Sequence, residues 1–213
     1  KMISYKQKYK LEDVEEEFNE LLLRFSRDDQ ELIHAAKTFA TKSHGEQKRD
    51  NGVPYVIHPI RTASILIRDM GVLDADMIIG MLLHDVVEDT PVMLGEVEKK
   101  FGNRVSIFVK GLTRERPLNE SEEHKKKSKQ EKIDWFLSSG SKELKTMKCS
   151  DLLDNMRSWI NIPEDHPSVN KFARWMREVE TQHIPLGKVT DPFFERNMVE
   201  VLEEYKKIAR FNQ

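Results

Sequence analysis

Apolar residues recur along most of this chain at intervals of three and four positions, which is the spacing of one face of an α-helix. In the first such segment Val14, Phe18 and Leu22 are separated by acidic residues. No stretch shows the apolar–polar alternation typical of a half-buried strand. The pattern predicts an all-α fold of about ten helices with no significant sheet. The predicted helices cover residues 11–25, 28–44, 59–70, 73–89, 94–101, 103–112, 132–137, 142–159, 167–183 and 191–211.

The most apolar of these helices, residues 73–89, is predicted to be central. Asp74 is a candidate N-cap, and Thr90-Pro91 a stop signal, because a residue before proline disfavours helical geometry. At the start of the second helix, Asp28 or Asp29 is the candidate cap.

Domain organisation follows from the length, since 213 residues suit one compact domain. We predict a single domain over residues 1–213, with an N-terminal helix at 11–26, a core at 28–160 and C-terminal helices at 161–213. The charged stretch 113–131 is almost devoid of apolar residues and is predicted to be a mobile loop or a frayed helix on the surface.

Composition and charge exclude several classes of function. The net charge of −2 argues against a globally basic nucleic-acid binder, and the longest apolar run, 77–83, is too short to span a membrane. The single cysteine, Cys149, rules out an internal disulfide framework. The first residues lack the apolar core of a signal peptide, so the expected location is cytoplasmic, and the oligomeric state stays open.

The densest group of ionisable residues, His84-Asp85-Val86-Val87-Glu88-Asp89, follows directly after the apolar run. Buried charges are costly unless they are paired or bound to a metal. In a continuous helix Glu88 would lie one turn after His84. Together with His58 and Asp151, this segment offers two imidazoles and two carboxylates, which suit a divalent cation such as Mn²⁺, Fe²⁺ or Zn²⁺.

These residues belong to a series of short motifs. They are His44-x-x-Gln47-x-Arg49, Gly52-Val53-Pro54-Tyr55-Val56-Ile57-His58-Pro59, Leu82-Leu83-His84-Asp85-Val86-Val87-Glu88-Asp89-Thr90, Phe101-Gly102, Val109-Lys110-Gly111-Leu112-Thr113 and Asp151-x-x-x-Asn155-Met156-Arg157. In this order they resemble the hydrolase domain of the RelA/SpoT family, a branch of the HD-domain metal-dependent phosphohydrolases. The chain is similar to the small stand-alone members of Mesh type. No synthetase domain is expected, because too few residues follow the last motif.

The resemblance implies a helical HD-type fold and a defined chemistry. His58, His84, Asp85 and Asp151 would ligate one Mn²⁺, while Glu88 and Asp89 would position and deprotonate the attacking water. Arg49 would lie against the purine and Asn155 would bind the base. The family removes the 3′-pyrophosphate of the small-molecule nucleotides ppGpp and pppGpp, and some stand-alone members act on NADPH as a phosphatase.

An anionic substrate also calls for basic side chains at the rim of the site, since arginine binds phosphate through two hydrogen bonds. The candidates that the sequence offers for substrate binding are Lys48, Arg49, Arg61 and Arg157, with Ser158 beside them.

Some positions depart from the family pattern. Leu152 replaces a basic residue, Asp154 a His or Tyr, Ser158 a Thr, and Asp50 a Lys, each lowering the positive charge or altering the edge of the pocket. An HD phosphohydrolase acting on another nucleotide, and a metal-binding regulatory module without turnover, remain alternatives.

Other conspicuous residues receive structural interpretations. His44 is expected to play a positioning or structural role, Cys149 to be a small buried hydrophobe, and Lys125–Lys127 to be solvated. His34 is expected to pack or to face solvent, and surface positions are expected for His124, His166 and His183. Packing in the core or in a groove is expected for Trp135, Trp159 and Trp175.

Overall fold

The computed structural model describes residues 10–114, 116–117 and 119–212. In these residues the only β-pairing is an isolated antiparallel bridge between Lys48 and Pro54, so the all-α prediction is confirmed. None of the described helices combines the length and the apolar character that crossing a membrane requires. The α-helices are α1 (Leu11–Leu22), α2 (Arg27–His44), α3 (Ile57–Arg68), α4 (Ala75–Leu82), α5 (Val86–Asp89), α6 (Leu94–Phe101), α7 (Asn103–Leu112), α8 (Glu122–Ser139), α9 (Lys142–Ser158), α10 (Phe172–Glu178), α11 (Ile184–Thr190) and α12 (Pro192–Lys206).

Helices α3, α4 and α9 form the centre of the molecule. Every residue of α3 from Ile57 to Ile67 is buried, because α1, α4 and α9 pack around it. The apolar residues of α4 contact α2 and α7 on its other sides, and Gly80 lets α4 approach closely, since a Cβ there would lie 2.9 Å from that of Phe108. Polar residues on α3 and α9 therefore meet inside the core.

The predicted central helix, 73–89, is interrupted in the structure. Asp74 caps α4 as predicted, with its side chain accepting hydrogen bonds from the amides of Asp76 and Met77, but α4 ends at Leu82. Leu83 adopts φ −104° and ψ 0°, and Asp85 φ −94° and ψ −10°, both near the bridge region where continuous helices do not go. His84 and Asp85 therefore lie in a turn between α4 and α5, and the expected stacking of Glu88 one turn after His84 on a continuous helix is wrong.

The N-cap of α2 is Ser26, whose hydroxyl accepts from the amide of Asp29 at 3.2 Å. Asp28 and Asp29, the predicted caps, lie in the first turn instead. Carboxylates there complement the helix dipole, which explains why the predicted caps lie two and three positions after the observed one.

The charged stretch 113–131 is also different from the prediction, because its second half belongs to α8. Ser121 caps this helix by accepting from the amide of His124 at 3.1 Å, and two glutamates occupy the first turn. The buried side chains of Ile133 and Phe136 attach α8 to the rest of the molecule. Helix α8 has little apolar periodicity of its own. It is stabilised by the Ser121 cap, by the glutamates that complement the helix dipole, and by the two buried side chains near its C-terminal end.

The predicted helix 167–183 is a composite. A 3₁₀ turn (Pro167–Lys171) leads into α10, and Val179–His183 then form a π-helical turn that continues into α11. Aromatic rings hold this region to the end of α9, with Trp159 and Trp175 stacked at 4.9 Å between centroids. This agrees with the packing role expected for these two tryptophans, whereas Trp135 on α8 is 38% exposed.

Candidate functional site

Four side chains from three parts of the chain converge in the core. His58 comes from α3, His84 and Asp85 from the turn between α4 and α5, and Asp151 from α9. The Nε2 atom of His58 lies 3.2 Å from an oxygen of Asp151 and 3.7 Å from one of Asp85. The Nε2 atom of His84 lies 3.2 Å from Asp85 and 3.8 Å from Asp151. The structure thus brings the four candidate metal ligands within contact distance of one another.

Both imidazoles are held in the orientation that metal binding requires. Nδ1 of His58 is 2.6 Å from Asp154, and Nδ1 of His84 donates to the backbone oxygen of Met81 at 2.7 Å. Each ring therefore turns Nε2 toward the carboxylates, as metal-binding histidines do when a second group fixes the tautomer. Nε2 of His84 is buried and, among the described residues, has no hydrogen bond of acceptable geometry. A buried polar atom of this kind fits a ligand to a cation.

The electrostatics of the cluster favour positive charge at its centre. Burial lowers the pKa of His84, but Asp85 and Asp151 outweigh this and raise that pKa well above its usual value. Burial raises the pKa of Asp151, and the stronger opposing effects of Lys148 and the two histidines bring that pKa well below normal. Burial also raises the pKa of Asp85, but the larger opposing effect of the histidines, mainly His84, lowers that pKa below its usual value. A divalent cation would supply the charge that these carboxylates attract.

Asp154 has a role that the sequence analysis missed. It is fully buried, and besides contacting His58 it accepts hydrogen bonds from Nε and Nη2 of Arg61 at 2.8 and 3.1 Å. Burial raises the pKa of Asp154, but the opposing effects of Arg61 and His58 are larger and bring that pKa below its usual value. The carboxylate therefore stays ionised. The predictions that Asp154 alters the pocket edge and that Arg61 binds substrate at the rim are therefore wrong. Spacing offered a signal, since Asp154 follows Asp151, and Arg61 follows His58, by one helical turn.

Glu88 and Asp89 lie beside this cluster, on α5. The guanidinium of Arg116 pairs with both, at 2.8 Å from Asp89, and the backbone amide of Arg114 donates to Glu88 at 3.0 Å. The hydroxyl of Tyr55 lies 2.8 Å from Asp85 and 2.9 Å from Asp89. Tyr55 thus joins a candidate ligand to a candidate catalytic carboxylate, although the sequence analysis gave it no role beyond its place in the motif 52–59.

His44 supports this arrangement through contacts with Tyr55 and Gln47. Its ring stacks on that of Tyr55 at 4.5 Å, and its Nδ1 is 2.9 Å from the side-chain oxygen of Gln47. Gln47 in turn donates to the backbone oxygen of Asp89 at 2.8 Å. This geometry is consistent with the positioning role expected for His44.

A cavity of about 420 Å³ opens from the cluster. Arg49 donates to the side-chain oxygen of Asn155 at 2.6 Å, and Asn155 donates to Asp151 at 2.7 Å, so the predicted base-binding pair is tied to the candidate metal site. The other predicted substrate-binding residues in the cavity wall are Lys48 and Ser158, and the described residues of that wall also include Asp50, Asn51, Leu152, Trp159, Ile162 and Trp175.

Arg157, like Arg61, differs from the other predicted substrate-binding residues. It is not among the described residues that line the cavity, and it donates to Asn197 on α12 at 2.8 Å. On α9, Arg157 follows Asp151 by six positions, which places its side chain on a different face of the helix from the metal-facing residues.

His183 was predicted to be a surface residue, and this is wrong. It is 8% exposed, lies in the cavity wall and belongs to the π-helical turn. Burial, assisted by Lys148 and opposed by Asp151, lowers the pKa of His183 to about 3, so the ring is neutral. Lys129 and Lys148, which the sequence analysis did not select either, also line the cavity. Helical periodicity does not identify His183, because a π turn shifts the register of the face, whereas Lys148 precedes Asp151 by one turn of α9 and could have been found by spacing.

Comparison with known proteins gives a consistent result. The HD domain family matches residues 36–179. The chain is 36% identical over 154 residues to the human guanosine-3′,5′-bis(diphosphate) 3′-pyrophosphohydrolase MESH1, covering 70% of this chain and 82% of that protein. It is 32% identical over 209 residues to the enzyme of the same name from Aquifex aeolicus, covering 93% of this chain and 28% of that protein. The chain therefore spans little more than a quarter of the Aquifex protein.

A solved structure is similar as well. It is described as a metazoan ortholog of SpoT that hydrolyzes ppGpp and plays a role in starvation responses. The TM-score is 0.69 at 28% identity, and the match covers 81% of this chain and 94% of the other. The HD-domain match, residues 36–179, includes the four candidate ligands His58, His84, Asp85 and Asp151.

Proposed function

Given that this chain belongs to the HD-domain family and is a relative of MESH1, we propose that it hydrolyses the 3′-pyrophosphate of guanosine 3′,5′-bis(diphosphate) and of the corresponding pentaphosphate. HD domains are metal-dependent, and the described residues include a possible metal site at His58, His84 and Asp151. The observation that carries the proposal is that this site opens into the cavity that holds the Arg49–Asn155 pair.

Four residues would hold one Mn²⁺ in this proposal: His58 and His84 through Nε2, and Asp85 and Asp151 through carboxylate oxygens. Mixed nitrogen and oxygen donors suit Mn²⁺, and also Fe²⁺ and Zn²⁺. When bound, the cation would lower the pKa of the attacking water and polarise the phosphoryl oxygen.

Glu88 and Asp89 handle the proton. The water oxygen forms a bond to the phosphorus attached to the ribose 3′ oxygen, and Glu88 accepts the proton that the water loses. The bond from that phosphorus to the 3′ oxygen breaks, that oxygen takes up the proton held by Glu88, and pyrophosphate and GDP, or GTP, are released with Glu88 again ionised. Asp89, fixed by Tyr55 at 2.9 Å, orients the water. Arg116 pairs with Glu88 in this structure, and because an ion-paired carboxylate is a weaker base, Glu88 can accept the proton only after that pair opens.

Arg49 and Asn155 bind the guanine. The guanidinium of Arg49 lies 5.6 Å from the centre of the Tyr55 ring, and Tyr55 and Asn155 together fix its position. A planar guanidinium held in this way can stack on a purine. The hydroxyl of Ser158 donates to the backbone oxygen of Asn155 at 2.7 Å and so steadies Asn155 in the same wall.

The direct test is to incubate the purified protein with Mn²⁺ and ppGpp and to separate the products by chromatography. Equal amounts of GDP and pyrophosphate are expected. Release of orthophosphate from ppGpp, or turnover of NADPH alone, would instead identify an HD phosphohydrolase with another substrate. Metal binding without turnover of either nucleotide would identify a regulatory module.

A further inference from the structure

One wall of the cavity carries basic and polar side chains that the mechanism above does not use. Lys129 from α8, Lys148 from α9 and His183 from the π-helical turn all line it, and we refer to these three residues as the lysine wall. The side-chain amide of Gln182 donates to that of Gln130 at 2.7 Å, which fixes the π turn against α8. The wall is therefore assembled from three elements that are in contact.

His183 gives the wall a feature that packing does not explain. The ring is 92% buried, and its Nδ1 has no hydrogen-bond partner among the described residues. A buried polar atom without a partner is costly, and such atoms in native structures commonly bind a ligand or water. π-Helical turns are rare and frequently occur at functional sites. A neutral imidazole in this position can donate one hydrogen bond to an anion.

The two lysines supply charge at different depths. Lys148 is 20% exposed and donates to Asp151 at 2.7 Å, so it lies next to the metal cluster. Lys129 is partly buried, and burial lowers its pKa while the nearby Glu178 raises it. A lysine that faces a cavity instead of bulk water loses part of its solvation. An anionic ligand in the cavity compensates for that loss by forming an ion pair with the lysine.

The charges of the cavity are divided between its ends. Asp85, Glu88, Asp89 and Asp151 gather at the metal end, where Arg116 pairs with Glu88 and Asp89 and Lys148 pairs with Asp151, while Lys129 and His183 line the cavity from α8 and the π-helical turn. A nucleotide with diphosphates at both the 3′ and 5′ positions brings a second set of negative charges that cannot reach the same place. We propose that the lysine wall binds the 5′-diphosphate, the group that the reaction leaves intact. This inference rests on the proposed function for the identity of the nucleotide.

The test uses GDP, because GDP retains the 5′-diphosphate and carries no 3′ phosphate. Lys129→Met keeps the aliphatic chain and removes the charge, and Lys127→Met is the matched control, since Lys127 on the same helix is 75% exposed and pairs with Glu131. In calorimetric titrations, Lys129→Met is expected to weaken GDP binding about 10-fold, the lower end of the range for a charge-assisted hydrogen bond. The control should leave GDP binding unchanged, and binding of guanosine, which has no phosphate, should be the same in all three proteins.

A second pair of variants tests His183. His183→Phe fills the space without a donor and should weaken GDP binding, whereas His183→Asn keeps a donor and should restore most of the loss. Thermal unfolding of each variant identifies any that has not folded. Equal losses for GDP and guanosine, or no loss with Lys129→Met, would overturn the inference.

These measurements need no turnover, so they separate the inference from the proposed function. If ppGpp is not hydrolysed but GDP binding depends on Lys129, the proposed function fails and the phosphate subsite stands. If ppGpp is hydrolysed, Lys129→Met should raise KM about 10-fold and leave kcat unchanged. A loss confined to kcat would mean that the wall serves the cleaved group, which contradicts the inference.

Discussion

The metal end of the cavity and the lysine wall differ in how their side chains are held. At the metal end, His58 is oriented by Asp154 and Arg61, His84 by the backbone of Met81, and Asp85 by Tyr55. In the lysine wall, the buried Nδ1 of His183 has no hydrogen-bond partner among the described residues. Rigid orientation suits a cation, which demands fixed ligand geometry, whereas a diphosphate with many acceptor oxygens tolerates adjustable donors. We therefore expect substitutions at the metal end to have larger effects than those in the wall.

The largest effect is expected from removing a ligand. Asp85→Ala should abolish metal loading and hydrolysis together, because it deletes one of four donors and leaves His84 without its nearest carboxylate. Metal content by atomic spectroscopy and turnover of ppGpp are the measurements. Asp134→Ala on α8 is the control, since that exposed residue contacts only Gln130 among the hydrogen bonds described. Full turnover by metal-free Asp85→Ala would refute the site.

The next effect separates chemistry from metal binding. Glu88→Ala should keep the metal but lower kcat by about two to four orders of magnitude, the range for a general acid–base group. Metal content should match that of the unsubstituted protein. An unchanged rate would show that another group accepts the proton.

Asp154→Asn tests whether the orientation of His58 matters as much as the ligands do. The amide keeps the size of the side chain but removes the charge that faces Arg61 and His58, so metal affinity should fall about 10- to 100-fold. The free energy of unfolding should fall too, by about 3–5 kcal/mol, the range for removing one partner of a buried ion pair. Metal titration and chemical denaturation measure the two. Unchanged metal affinity would mean that packing alone orients the ring.

The smallest expected effect is the release of a proton when the metal binds. Because Asp85 and Asp151 raise the pKa of His84 well above its usual value, metal binding to this ring should release a proton. Calorimetry in two buffers of different ionisation enthalpy measures that release, and proton-neutral binding would contradict it.

The same shift determines how the metal-free protein depends on pH. A raised pKa stabilises the fold below the unfolded-state value of about 6.5, and that contribution is lost as the pH rises through the folded-state pKa. The lowered pKa values of Asp85, Asp151 and Asp154 act in the opposite direction, since their contribution is lost as the pH falls below about 4. Excess Mn²⁺ should remove the alkaline loss, which thermal unfolding at several pH values can follow.

The sequence alone determined the helical class, most helix positions and the convergence of His58, His84, Asp85 and Asp151. The helices could be predicted because the spacing of apolar residues depends only on local helix geometry. The four ligands could be predicted because they lie within motifs that resemble a known family. Their mutual distances depend on the burial of α3 and α9, which the sequence analysis did not predict.

Only the tertiary structure decided the groups around those ligands. The break at Leu83–Asp85 reflects backbone dihedrals that no periodicity reports, and Asp154 became a partner of His58 because two buried helices place them 2.6 Å apart. His183 entered the cavity because a π turn displaced its helical face, and α8 formed where the sequence is mostly charged because its end is anchored in the core. Hydrogen bonds and burial between distant segments depend on packing, and packing is a property of the whole chain rather than of any local pattern.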